Sequence, residues 1–198
     1  NASGRSPYSL NLDVFRELGM AQIPAEGVLS WSVPGCVDGW SMLLERFGER
    51  DLADVLQPAI AYAEEGFPVS EVIAGFWQDA APVLRAHSHS AETYLVDGAA
   101  PEVGQIFRNP RLATTYRAIA DRGRDAFYVG DIAREIVSFC EQHGGYFTLR
   151  DLAEHSSEWV SPVSTNYRGY DVWELPPNGQ GIAVLEMLNV LEGYDLKS

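Results

Sequence analysis

Apolar residues recur every three or four positions in segment after segment, each run closed by glycine or proline, and this constrains the fold more than any other feature. Val37, Trp40, Leu43, Leu44 and Phe47 keep helix spacing up to Gly48. Leu52, Val55, Leu56, Ala59, Ile60 and Ala63 repeat it behind an Asp51 cap. Pro58 interrupts that run and costs about 3 kcal/mol in a helix interior, so a turn over 51–57 and a fresh helix starting near Pro58 are expected. Further helices are predicted over 10–18, over 70–86 behind Ser70, over 109–123 with Pro110 in the first turn, and over 130–142. Residues 181–191 are apolar nearly all round and predict a buried helix. Strand signals are few: 94–96 with 105–107 around Asp97-Gly98, and 160–163 with 170–175 around Arg168-Gly169. Residues 148–153 read as one more turn. The pattern predicts a mainly α chain with a few short strands, divided into an irregular entry (1–34), a helical lobe (35–156) and a closing section of short strands and a buried helix (157–198). It is not a parallel βαβ series.

The charge balance narrows the partners. Against 14 Lys and Arg stand 28 Asp and Glu, a net charge of -14, which repels nucleic acid and anionic membranes. No apolar run approaches the roughly 20 residues of a membrane span, and the first residues carry no basic stretch leading into an apolar one. Cys36 and Cys140 stand far apart with no Cys-x-x-Cys, which excludes a disulfide scaffold and a cysteine-rich zinc module. Two buried thiols are expected, with a single bridge as the alternative.

No complete catalytic constellation is present. The chain has no Gly-x-Ser-x-Gly elbow and no phosphate-binding P-loop. Gly179-Gln180-Gly181 reads as a turn capping a helix, with an anion site as the weaker alternative. His87-Ser88-His89 offers two imidazoles without a third ligand, so a solvated loop is expected and no metal. Glu64-Glu65 and Glu154/Glu158 read as surface charge. Arg5, in Ser3-Gly4-Arg5-Ser6-Pro7, is the substrate-binding candidate, because a guanidinium on a loop fixed by glycine and proline suits bidentate capture of a carboxylate.

Several phrases taken in order resemble one family. They are Val33-Pro34-Gly35-Cys36-Val37-Asp38-Gly39, Arg46-Phe47-Gly48, Gln57-Pro58-Ala59-Ile60 and Ala63-Glu64-Glu65-Gly66-Phe67-Pro68-Val69. Phe127-Tyr128-Val129-Gly130 with Ile132-Ala133, Gly144-Gly145-Tyr146-Phe147-Thr148 with Asp151-Leu152, and Tyr167-Arg168-Gly169-Tyr170 follow. Pro176-Pro177-Asn178-Gly179-Gln180-Gly181-Ile182 and Leu188-Asn189-Val190-Leu191-Glu192-Gly193-Tyr194-Asp195 complete the set. Together they resemble the middle and later part of the large subunit of the γ-glutamyltranspeptidase family.

The resemblance implies a partial large-subunit segment of an αββα N-terminal nucleophile hydrolase, made as one precursor that cleaves itself before a threonine. That threonine attacks the acyl carbonyl with its own α-amine as base, and backbone donors hold the oxyanion. It lies beyond Ser198 in the family's pattern, so this chain alone is expected to hold no catalytic residue and to be inactive. The implied partners are the small subunit or remainder of the precursor and a γ-glutamyl or related small-molecule substrate, with no cofactor. A periplasmic or secreted location fits the family, a cytoplasmic one being the alternative. Two departures stand out. The family's Arg-Glu-x-Ala-Pro-like stretch is here Ser3-Gly4-Arg5-Ser6-Pro7, with the arginine nearer the proline and no glutamate. This glycine-containing version resembles transpeptidase-like and acylase-like relatives and implies either that Arg5 does the same job from a shifted position or that the acyl group differs. Its Pro-Pro-x-Ser-Ser-Gly-Gly turn has lost both serines. A non-catalytic helical scaffold or binding domain is the rival reading.

Overall fold

A computed structural model describes residues 1–176 and 178–196, folded as two units: Asn1–Arg46 with Ala133–Ser198, and Phe47–Ile132. The chain is mostly helical with few short strands. Among the described residues the sheets are two antiparallel pairs.

The unit over Phe47–Ile132 is built on α3 (Leu52–Glu65), capped by Asp51, whose side chain accepts from the Asp54 amide at 2.8 Å. Contrary to the expected restart, α3 runs unbroken through Pro58. The apolar stripe Leu56, Ile60 and Ala63 is buried along its whole length, and Pro58 falls on the exposed face, where water can serve the carbonyl it leaves without a donor. Pro82 is accommodated the same way in α4 (Glu71–Ala86). Strand β1 (Phe67–Pro68) lies between these helices, and α5 (Ser88–Tyr94) follows them.

Strand β2 (Ile106–Phe107) corrects the expected hairpin. It pairs with β1, Phe67 opposite Phe107, while Val96 only bridges Ala99 across the Asp97-Gly98 turn. Phe107 thereby joins a core of Val69 and Ala74 and meets Trp77 edge-on at 4.6 Å. Asn109 caps α6 (Pro110–Arg122), which packs along α3 and links to it through the Arg117–Glu64 ion pair. The one-turn α7 (Arg124–Tyr128) buries Tyr128 completely.

In the other unit, numbered in chain order, α1 (Leu12–Glu17) is capped by Asn11, and α2 (Cys36–Phe47) follows a single 3-10 turn at Val28–Ser30. Helix α8 (Asp131–Gln142) buries Ala133 and Cys140, and the Phe147 amide donates to the Cys140 sulfur at 3.4 Å. Trp31 stacks on Phe139 at 6.0 Å. Both thiols are free, but Cys36 is exposed, not buried as expected.

Helix α9 (Leu149–Ala153) precedes a hairpin of β3 (Val163–Tyr167) and β4 (Tyr170–Glu174). Its two-residue turn places Arg168 and Gly169 at φ of 52° and 87°, the turn geometry that matches strand twist. The expected strand at 160–163 starts only at Val163. Helix α10 (Gly181–Glu192) packs on this hairpin. It was expected to be buried all round, yet only Gly181 and Leu185 are buried while Ile182, Met187, Val190 and Leu191 are exposed. Two strands cover only one side of a helix. Pro177, in the expected 176–181 turn, lies outside the described residues.

Candidate substrate-binding site

The site starts from two glycines. Residues 2–5 run against 33–35, with the Val33 amide donating to the Arg5 carbonyl at 2.9 Å. A Cβ on Gly4 would fall 1.8 Å from the Val33 carbonyl oxygen, and one on Gly35 would fall 1.7 Å from that of Ala2. Only glycine permits this approach. It fixes the backbone from which Arg5 projects.

The Arg5 side chain is held on three sides. Nη1 donates to Asp151 Oδ1 at 2.8 Å and to the Ser6 carbonyl at 2.8 Å. The guanidinium carbon lies 3.2 Å from the centroid of the Tyr8 ring, a cation–π contact. Nη2 is buried and has no hydrogen-bond partner among the described residues. The side chain as a whole keeps 36% of its exposure. A ligand reaches Nη2 only if the cover over that nitrogen shifts.

Asp151 supplies the anchor. It comes from the Thr148-x-x-Asp151 capping box that starts α9, a local motif in which each residue satisfies the other's free amide. Its carboxylate is fully buried. Oδ1 accepts from the Tyr8 amide at 2.8 Å as well as from Arg5. Oδ2 accepts from the Thr148 amide at 2.8 Å and the Thr148 hydroxyl at 2.6 Å. Burial pushes this carboxyl up, but the Thr148 and Arg5 side chains and the Tyr8 and Thr148 amides outweigh it and hold the group below its ordinary value.

A second ion pair flanks the first. The Tyr8 hydroxyl donates to Glu154 Oε2 at 2.7 Å, and Arg150 Nε donates to Glu154 Oε1 at 2.8 Å. The bond from Arg150, then that from Tyr8, lowers the Glu154 carboxyl, and Glu154 in turn raises Arg150. Arg150 also lies over the Tyr8 ring at 4.8 Å. Tyr8 thus lies against two guanidinium groups, each paired with a carboxylate.

The remaining candidates fall elsewhere. His87 and His89 flank the start of α5 and are exposed. Among the described residues no group of three or more His, Cys, Asp or Glu is placed to hold a metal ion, and no helix is long and apolar enough to cross a membrane. Glu64 pairs with Arg117. One cluster escaped the sequence reading: Asp38, His155 and Ser157 are all buried, with the Ser157 amide donating to Asp38 and His155 Nε2 at 3.9 Å from the same carboxylate. Asp151 escaped it as a site residue too, although the Thr-x-x-Asp spacing carried the signal.

The chain belongs to the γ-glutamyltranspeptidase family: the family model described as "Gamma-glutamyltranspeptidase" matches residues 1–198. It is 42% identical over 196 residues to the glutathione hydrolase-like YwrD proenzyme of Bacillus subtilis, covering 98% of this chain and 37% of that protein. It is 34% identical over 171 residues to the glutathione hydrolase proenzyme of Escherichia coli, covering 85% and 30%. Among solved structures, a cephalosporin acylase from Bacillus halodurans superposes with a TM-score of 0.92 at 40% identity, covering 100% of this chain and 38% of that one. The Helicobacter pylori γ-glutamyltranspeptidase superposes with a TM-score of 0.89 at 29% identity, covering 98% and 57%. The chain therefore spans about a third of the length of the curated relatives it matches, 37% of the first and 30% of the second.

Proposed function

We propose that the full-length protein carrying this chain cleaves γ-glutamyl or related acyl amides, and that Arg5 holds the donor's carboxylate. Family membership supports the first part. One observation carries the second: a fully buried aspartate holds Arg5 Nη1 while Nη2 has no acceptor among the described residues. A buried donor without an acceptor is costly, and a carboxylate oxygen supplies what it lacks.

The chemistry itself falls to the remainder of the precursor, which also completes the layered sandwich. The threonine hydroxyl gives its proton to its own α-amine as the oxygen adds to the acyl carbonyl. The amide C–N bond breaks, the amine leaves with that proton, and water or a second amine then cleaves the ester. Arg5 orients the donor from the far end of its acyl chain. Ser3 and Ser6 have backbone nitrogens tied up in peptide bonds, so neither can play the threonine's part.

A second reading, an acylase taking donors without an α-amine, draws support from the likeness to a cephalosporin acylase. A donor series on the processed full-length protein separates the two. γ-Glutamyl and glutaryl anilides share the distal carboxylate and differ in the α-amine, while butyryl anilide lacks both. Preference for γ-glutamyl supports the transpeptidase reading, and preference for glutaryl supports the acylase. Equal turnover of all three removes the carboxylate site.

A further inference from the structure

We infer that Asp151 is the positioning residue for Arg5, setting the angle at which the guanidinium meets the donor; this rests on the reading of Arg5 as the carboxylate's partner. An arginine on an irregular segment carries rotamer freedom that binding must otherwise remove. Asp151 removes it beforehand. Its Oδ1 takes both the Tyr8 amide and Arg5 Nη1, tying the backbone and the side chain of the 5–8 segment to one atom. Its Oδ2 is fixed by Thr148 at the start of a helix, so the anchor does not swing. The carboxylate is fully buried and touches no solvent, so its influence on a donor passes through Arg5. The Tyr8 ring, 3.2 Å from the guanidinium carbon, adds a further contact that restrains the side chain while Nη1 stays on Asp151.

The sign of the effect separates positioning from simple electrostatics. Asp151 carries a negative charge beside Arg5 and opposes the approach of a second carboxylate. Were its role only electrostatic, removing that charge would tighten donor binding. Were it only structural, its loss would slow all donors alike. Positioning alone predicts weaker binding confined to donors that bear the carboxylate.

The test is a double-mutant cycle on the processed full-length protein, with Arg5→Ala, Asp151→Asn and the pair, read on γ-glutamyl and butyryl anilides. Arg5→Ala should raise KM for the γ-glutamyl donor by about tenfold or more, as expected for loss of a charged hydrogen bond. Asp151→Asn should raise the same KM about fivefold with little change in kcat, lower the preference for γ-glutamyl over butyryl, and add nothing to Arg5→Ala. Where Asp151→Asn fails to fold, Thr148→Ala loosens the anchor with its charge intact and should give a smaller rise, again abolished without Arg5. An unchanged or lowered KM in Asp151→Asn, multiplying effects in the pair, or equal losses on both donors would overturn the inference. If Arg5→Ala itself leaves KM unchanged, the carboxylate reading of Arg5 fails, and the positioning role falls with it.

Discussion

Replacing Arg5 with methionine keeps an apolar stem of similar length and removes the charge, which isolates what the ion pair contributes to stability. Asp151 would stay buried with three of its four donors: the Tyr8 amide, the Thr148 amide and the Thr148 hydroxyl. Breaking a fully buried pair costs about 3–5 kcal/mol. Here Arg5 keeps 36% of its exposure, so solvent screens the interaction, and the remaining donors hold part of the charge. The expected loss is about 1–2 kcal/mol at pH 7. Its pH dependence follows from the lowered Asp151 carboxyl. The folded-state pKa lies below the unfolded one, so the stabilisation is complete above the ordinary carboxylate value of about 4 and fades as pH falls through the lower folded value. Urea denaturation of wild type and Arg5→Met at several pH values between 7 and 3 measures the difference. It should be flat down to about pH 4 and shrink below it. A difference below about 0.3 kcal/mol at pH 7, or one that grows in acid, would refute the argument.

Other perturbations address neighbouring parts of the account. Arg5→Lys keeps the charge but cannot serve both Asp151 and a donor from one planar fork, so KM for the γ-glutamyl donor should rise about tenfold in steady-state kinetics of the full-length protein. Gly4→Ala puts a methyl group 1.8 Å from the Val33 carbonyl oxygen and should lower stability by more than about 1–3 kcal/mol, the usual range for overpacking, as read by denaturation. Cys36 should react with a thiol reagent in the folded chain and Cys140 only after unfolding, since the first is exposed and the second buried.

What the sequence made legible was local. The helices α4, α6 and α8 were readable because each carries a local signal, Pro110 in the first turn of α6 and an apolar stripe ended by Gly144-Gly145 in α8, although Ser70, the expected cap of α4, makes no side-chain capping bond. Arg5 stood out as a candidate because Gly4 and Pro7 bracket it. Long-range arrangements were not. Phe67 and Phe107 pair across 40 positions, and nothing near either residue announces the other. Pro58 gave a true local signal that lost to the buried stripe running past it. Helix α10 looked like a core helix because its composition is apolar all round, but composition does not say how many sides are covered. Asp151 was visible as a helix cap and invisible as an anchor, since its partner Arg5 stands 146 residues earlier.

Arg5, clamped by Asp151, is the residue proposed to receive the donor's carboxylate, and the structure of the processed full-length protein with bound glutamate is the decisive measurement. A glutamate carboxylate oxygen should lie about 3 Å from Arg5 Nη2, with Nη1 still on Asp151. Glutamate bound with its carboxylates away from Arg5, and Nη2 still without an acceptor, would contradict the account.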